Sequence, residues 1–271
     1  MEWLDGVEHL RSARRNGVIV TVISSRGHAP RRSGAKMVVS ADSVWGTVGG
    51  GNLEATAMDR ARAVILEGSS VPELMTLQLS EKAPAEHGVQ CCGGEVTMLV
   101  EPVRILPSVA IFGIGHVGLE LARILVRHDL ELHLIDSRPS MLTSDRLSVL
   151  ADGNAVVHLH QTPAPESALE SLPSGTHVLI MTHDHAEDFL LCDAALRSAG
   201  LGSIGLIGSH SKWSRFRQRL IAEGHTSAEI ERITTPIGIS GISGKEPAAI
   251  AVSVAAGILR EFERESSVVS R

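Results

Sequence analysis

The most reactive residues in the sequence are two adjacent thiols set against glycine, Gln90-Cys91-Cys92-Gly93-Gly94. A thiolate ligates soft metals and carries sulfur, and two glycines beside it let the backbone wrap closely around a bound group. The pair lacks zinc-site spacing, and no Cys-x-x-Cys elsewhere completes such a site. Free cysteines are more often small buried hydrophobes; the glycine neighbours favour a functional reading here. Cys192, among Leu190, Leu191 and Ala195 on a helix, reads as core.

A second set is built from backbone. Gly49-Gly50-Gly51 runs into Asn52, a good N-cap, and a helix marked by Leu53, Ala57, Ala61 and Val64 follows to about Glu67. Successive N–H groups at the positive end of a helix dipole attract anions. Arg26, His28, Arg31, Arg32 and Lys36 lie in one basic loop that could supply cations to the same anion. A tight turn beside a solvated basic loop fits the same residues.

The third set is Gly113-Ile-Gly-His-Val-Gly118, between a short apolar strand (Val109–Phe112) and a helix, with Asp136 closing the next strand. In a strand–turn–helix–strand unit Gly113 permits the turn, Gly115 lets a pyrophosphate approach the backbone, and Gly118 allows close helix–sheet packing. Asp136 would accept hydrogen bonds from a ribose diol and repel a 2′-phosphate, which favours NAD over NADP; Arg138 weakens that preference. A Rossmann domain kept as a scaffold has the same fingerprint.

Thr182-His183-Asp184-His185-Ala186-Glu187-Asp188 joins a strand to a helix at the edge where open α/β sheets bind ligands. His183, His185 and Asp188 suit a metal or acid–base pair; equally, Thr182 or Asp184 caps the helix and the histidines face solvent. Gly208-Ser209-His210 holds the equivalent edge one strand later, and Lys212, Arg215, Arg217 and Arg219 read as a solvated helix face.

These sets need two frameworks. Before Pro107, strands at Val18–Ser24, Lys36–Val39, Val44–Thr47, Thr76–Leu79 and Val96–Glu101 around one clear helix predict a small α+β domain, residues 1–106. Beyond it, strands at Leu132–Ile135, Val156–Leu159, Val178–Met181 and Ile204–Ile207 alternate with helices. That pattern predicts a Rossmann-like, doubly wound parallel sheet over 107–271 and an α/β protein overall.

The composition limits the partners. The 271 residues are 43% hydrophobic with a mean hydropathy of +0.13, enough to bury a core. A net charge of -6, no tyrosine and 3% aromatics argue against nucleic acid. No apolar run approaches a membrane span or a signal peptide, and three cysteines leave at least one unpaired, so a soluble cytoplasmic protein is expected.

In order along the chain, Pro30-Arg-Arg-Ser-Gly-Ala-Lys-Met-Val-Val39, Gly46-Thr-Val-Gly-Gly-Gly-Asn-Leu-Glu54, Gln90-Cys-Cys-Gly-Gly94, Gly113-Ile-Gly-His-Val-Gly118, Thr182-His-Asp-His-Ala186, Gly205-Leu-Ile-Gly-Ser209 and Glu246-Pro-Ala-Ala-Ile-Ala-Val-Ser253 resemble the xanthine dehydrogenase accessory protein family, XdhC/CoxI-like. The resemblance implies a chaperone that binds the molybdenum cofactor, as molybdopterin or its dinucleotide form. Such a chaperone shelters the cofactor while a terminal oxo ligand is exchanged for sulfido, and passes it to apo xanthine dehydrogenase or a related molybdenum hydroxylase. A cysteine desulfurase is the implied sulfur donor, Cys92, which abuts Gly93, the favoured thiol for the metal, and a homodimer the default assembly. The Rossmann groove would hold NAD, the nucleotide half of the cofactor, or nothing. Two other classes compete: an NAD-dependent oxidoreductase with His183 or His185 as acid–base, and an interaction scaffold.

Overall fold

Apolar side chains alternating along Gly17–Gly27 (β1) turn one face of an antiparallel sheet inward, with Val18, Val20 and Val22 buried. In this computed structural model, which describes residues 2–27, 31–79, 94–242 and 244–269, the chain forms two units, Met1–Ile105 and Leu106–Val269. The first opens with α1 (Glu2–Ser12) and continues through β1, β2 (Lys36–Val39), β3 (Val44–Gly46), α2 (Gly51–Glu67), β4 (Glu73–Gln78) and β5 (Gly94–Val103). The five strands are all antiparallel in the order β3-β2-β1-β5-β4. The predicted stripe Leu53, Ala57, Ala61 and Val64 is the buried face of α2 and packs on the inward side chains of β1 and β5. The register slips between Val22 and Ser24, and Ile23 is left exposed at this bulge.

The second unit begins with β6 (Ser108–Phe112), α3 (His116–Leu125) and β7 (Glu131–Asp136). The single turn α4 (Ser144–Leu147), β8 (Val156–Gln161), β9 (His177–Ile180) and α5 (His185–Arg197) follow. Next come β10 (Ile204–Leu206), α6 (His210–Ala222), α7 (Ser227–Ile230), β11 (Ile233–Thr234) and α8 (Pro247–Val269). All five residues of β6 are buried, as a strand covered on both faces requires. The parallel sheet runs β11-β10-β9-β6-β7-β8, so the chain winds from β6 outward through β7 and β8, then returns to add β9, β10 and β11 on the other side. One core lies with α3 and α8, the other with α5 and α6. The reversal between β6 and β9 is the place where open α/β sheets leave a crevice for ligands.

Two elements depart from the alternation of strands and helices. Pro165–Ser171, between β8 and β9, forms a 3-10 stretch rather than an α-helix. The short edge strand β11 carries only two residues and gave no periodic signal.

Candidate functional site

In the first unit, strand direction gathers the predicted residues. β1 ends at Gly27, which pairs with Gly94 at the start of β5; β4 ends at Gln78, opposite Glu95. The amide of Leu79 donates to the Gly94 carbonyl at 2.7 Å, so the chain leaves at Leu79 and returns at Gly94 on this end of the sheet. Because β2 runs against β1 and β3 runs with it, the turn after Gly46 leaves toward the same end. β1, β3 and β4 therefore all run toward the same end of the sheet, with Gly46 level with Val20 and with Gly27, Gln78 and Gly94 further along. Cys91, Cys92 and Gly93, like His28, lie outside the described residues.

Gly49, Gly50 and Gly51 have φ of 154°, 105° and 61°. At Gly50 and Gly51 an added Cβ would meet no atom, so the left-handed backbone alone calls for glycine there. Asn52 is not the cap, contrary to the sequence reading: the N-cap is Gly50, without a side-chain bond, and Asn52 lies in the first turn. Glu54 of the same first turn bonds the chain that leads into the helix. Its carboxylate reaches back to accept from the Thr47 hydroxyl and, at 3.2 Å, from the Val48 amide, while the Gly49 amide donates to Thr47 Oγ1 at 3.1 Å. A carboxylate thus already sits at the head of α2, and any external anion must be held by the remaining glycine amides. Arg31 and Arg32 are exposed, whereas Lys36 bonds Thr21 Oγ1 at 2.7 Å and lies over the Trp3 ring.

In the second unit the glycine loop takes the fingerprint geometry, for three different reasons. Gly113 has φ 101°, and a Cβ there would meet the Met181 carbonyl at 2.5 Å, because the loops after β6 and β9 touch. At Gly118 a Cβ would meet the Gly113 carbonyl at 2.2 Å, the close packing of α3 on its loop. Gly115 has φ −72° and open space where a Cβ would stand. Neither strain nor packing within the protein calls for glycine there; a close-approaching ligand would.

Asp136 does not stand open to a ribose, as the spacing alone leads one to expect. It is 1% exposed and accepts from the Ile114 amide at 2.7 Å, the Arg138 amide at 2.9 Å, and Arg138 Nε and Nη2, each at 2.9 Å. Burial pushes its pKa up, but the hydrogen bonds from Arg138 and Ile114 outweigh that and hold it below the usual carboxylate range. At the carbonyl end of the same residue, Arg146 of α4 donates from Nη2 to the Ile114 carbonyl at 3.0 Å and the Gly115 carbonyl at 3.4 Å. Sequence reasoning missed Arg146, since one isolated turn of helix carries no motif.

The loop after β9 resolves the alternatives posed by its sequence. Asp184 caps α5, accepting from the amides of Ala186 at 2.6 Å and Glu187 at 3.2 Å, and its neighbours His183 and His185 are exposed. Asp188 turns inward, fully buried, and accepts from the Thr182 amide at 3.0 Å and hydroxyl at 2.8 Å. Its other oxygen pairs with Lys212, which is buried rather than solvated and also donates to the Ile207 carbonyl at 2.9 Å. This pair ties the loop after β9 to the loop after β10. Arg215, Arg217 and Arg219 are exposed as expected. Glu187 reaches across to Ser137, whose hydroxyl donates to it at 2.9 Å; burial raises its pKa, partly offset by Ser137 and His183. Among the described residues no group of three or more His, Cys, Asp or Glu is placed to hold a metal ion. Cys192 is core, its thiol pushed up to about 12 by burial and by Asp188.

No helix among the described residues is long and apolar enough to cross a membrane. Comparison with known proteins identifies matches along both units. Residues 109–258 match the model of the XdhC Rossmann domain, and residues 10–78 that of the XdhC and CoxI family. Two proteins of Escherichia coli strain K12 are similar. The uncharacterized protein YqeB is 27% identical across 88% of this chain, which spans only 42% of that relative. The molybdenum cofactor insertion chaperone PaoD is 25% identical, over 96% of this chain and 88% of its own. A crystal structure described as a xanthine dehydrogenase from Bacillus halodurans aligns with a TM-score of 0.47 at 19% identity, covering 97% of this chain and 96% of the other. The chain therefore belongs to the XdhC and CoxI family, with an XdhC Rossmann domain as its second unit.

Proposed function

We propose that the protein is an accessory chaperone, not itself an enzyme, that binds the molybdenum cofactor as cargo. It supports the cofactor's sulfuration and delivers it to apo xanthine dehydrogenase or a related molybdenum hydroxylase. What supports this reading is strand direction: β1 and β3, which lead into the basic loop and the glycine turn, and β4, which leads into the stretch of sequence carrying Cys91 and Cys92, run toward the same end of the sheet. Amides of Gly49–Gly51 with Arg31 and Arg32 suit a pterin phosphate, and a thiolate suits molybdenum or sulfur. The likeness to PaoD supports the same cargo. A cysteine desulfurase donates the sulfur in this reading, the chaperone works as a homodimer, and the groove at Gly113–Gly118 takes the nucleotide half of a dinucleotide cofactor.

The test is bound cofactor. The full chain and Cys92→Ala are produced in a host that overaccumulates molybdopterin, purified without oxygen, and assayed for molybdenum and oxidised-pterin fluorescence. The expected result is pterin near one per chain in the parent and a loss of about tenfold or more in the variant, in line with removal of a direct ligand. Absence of pterin from both proteins overturns the reading.

A further inference from the structure

The Rossmann fingerprint predicts a reader of the ribose diol, and the atoms around Asp136 do not offer one. An ionised carboxylate has about four lone-pair positions. Here four donors occupy them, one from the Ile114 amide and three from Arg138. A 2′-hydroxyl arriving at Asp136 would find no acceptor without displacing the guanidinium. Arg138 meanwhile stands partly exposed at 31%, where the 2′ position of a bound nucleotide would lie. A second guanidinium, Arg146, is bonded to the carbonyls of Ile114 and Gly115, and its Nε is buried without a hydrogen-bond partner. Ile114 is thus held at its amide by Asp136 and at its carbonyl by Arg146, and because Arg138 balances the Asp136 carboxylate, Arg146 adds an uncompensated positive charge to the dipole of α3 at the glycine loop. The open space at Gly115 lies on the same loop.

We propose that Asp136 is a strut of the glycine loop rather than a ribose receptor, and that Arg138 and Arg146 make the groove select dinucleotides by phosphate charge. The ligand class is a dinucleotide diphosphate whose pyrophosphate lies over Gly115 and whose 2′ position is free to carry a phosphate. This rests on the reading of the groove as a dinucleotide site, and it inverts the NAD preference expected from the acid at the end of β7.

Direct titration of the purified full chain with NADH and NADPH, followed by nicotinamide fluorescence and calorimetry, tests it. Expected are binding of both, with NADPH at least as tight as NADH. Arg146→Gln weakens both by the same factor, about tenfold or more for loss of a charged phosphate contact. Arg138→Ala uncovers Asp136 and moves the preference toward NADH by about tenfold, a change of ratio that a merely loosened loop would not produce. A parent that prefers NADH tenfold or more, a ratio unmoved by Arg138→Ala, or binding of neither dinucleotide overturns the proposal. Failure here leaves pterin and molybdenum retention by the full chain untouched, so it is distinguishable from failure of the chaperone reading.

Discussion

Asp188 and Lys212 show at the scale of single residues how one charged side chain can be read in two ways. In the sequence Asp188 closes a run of histidines and acids that suits a metal, and Lys212 opens a basic helix. In the fold each is the other's reason for being buried, because an ion pair with further hydrogen bonds is the arrangement in which the interior accepts either charge. Removing one partner leaves the other charge buried and uncompensated. Asp188→Ala is expected to cost about 3–5 kcal/mol in urea unfolding. The double variant Asp188→Leu with Lys212→Met should be less destabilised than Asp188→Ala. A single variant within about 0.5 kcal/mol of the parent would show that the pair carries no such weight. The pairing has no sequence signal: the two residues are 24 positions apart, and only the parallel register of β9 and β10 brings their loops together. The same holds for His133 and His160, which gave no reading in sequence and stand 3.0 Å apart on paired strands; burial and the neighbouring His158 lower the pKa of His160.

Elements were far more legible than side-chain partners. Val109–Phe112, Leu132–Ile135 and Val178–Met181 declare buried strands by composition alone, and the observed β6, β7 and β9 extend or shift them by a residue. The fingerprint glycines were legible as a motif, and the backbone around them separates the three reasons for glycine. Gly113 and Gly118 are required by backbone atoms of the protein itself, Gly115 by none. Ala at Gly113 forces a left-handed residue against the Met181 carbonyl, and Ala at Gly118 collides with the carbonyl of Gly113; each is expected to lower stability by several kcal/mol, roughly the cost of strain and overpacking together. Gly115→Ala should keep the melting temperature within about 2 °C, as a neutral exposed substitution does, yet weaken NADPH binding by about tenfold by filling the approach to the loop amides. Equal thermal damage at all three positions would make Gly115 a packing residue and remove the steric support for a ligand there. The cap of α2 makes the same point in reverse. Asn52 has the right residue type, but the helix starts one residue before it and Gly50 is the cap, so residue type alone misplaced the boundary.

For the whole molecule, the decisive feature is that each unit has core clusters of its own among the described residues. The buried side chains of β1, β2, α2 and β5 form one cluster, and those of the parallel sheet form two more, one on each face. Among the described residues, each sheet is built from strands of one unit, Met1–Ile105 or Leu106–Val269. A fragment of residues 106–271 is therefore expected to fold alone, since about 150 residues with covered sheet faces is an ordinary domain size. It should unfold in one cooperative transition by circular dichroism and bind NADPH within about threefold of the full chain, the scatter expected when no contact to the ligand is lost. It should hold no pterin, because the Cys91–Cys92 segment and the Gly49–Gly51 turn belong to the other unit. Dinucleotide binding that vanishes in a folded fragment would show that the groove needs the first unit to be complete. Retention of pterin by the fragment would move the cargo site to the Rossmann unit and detach it from the thiols. The two readouts thus assign the proposed dinucleotide site and the proposed cargo site to one unit each.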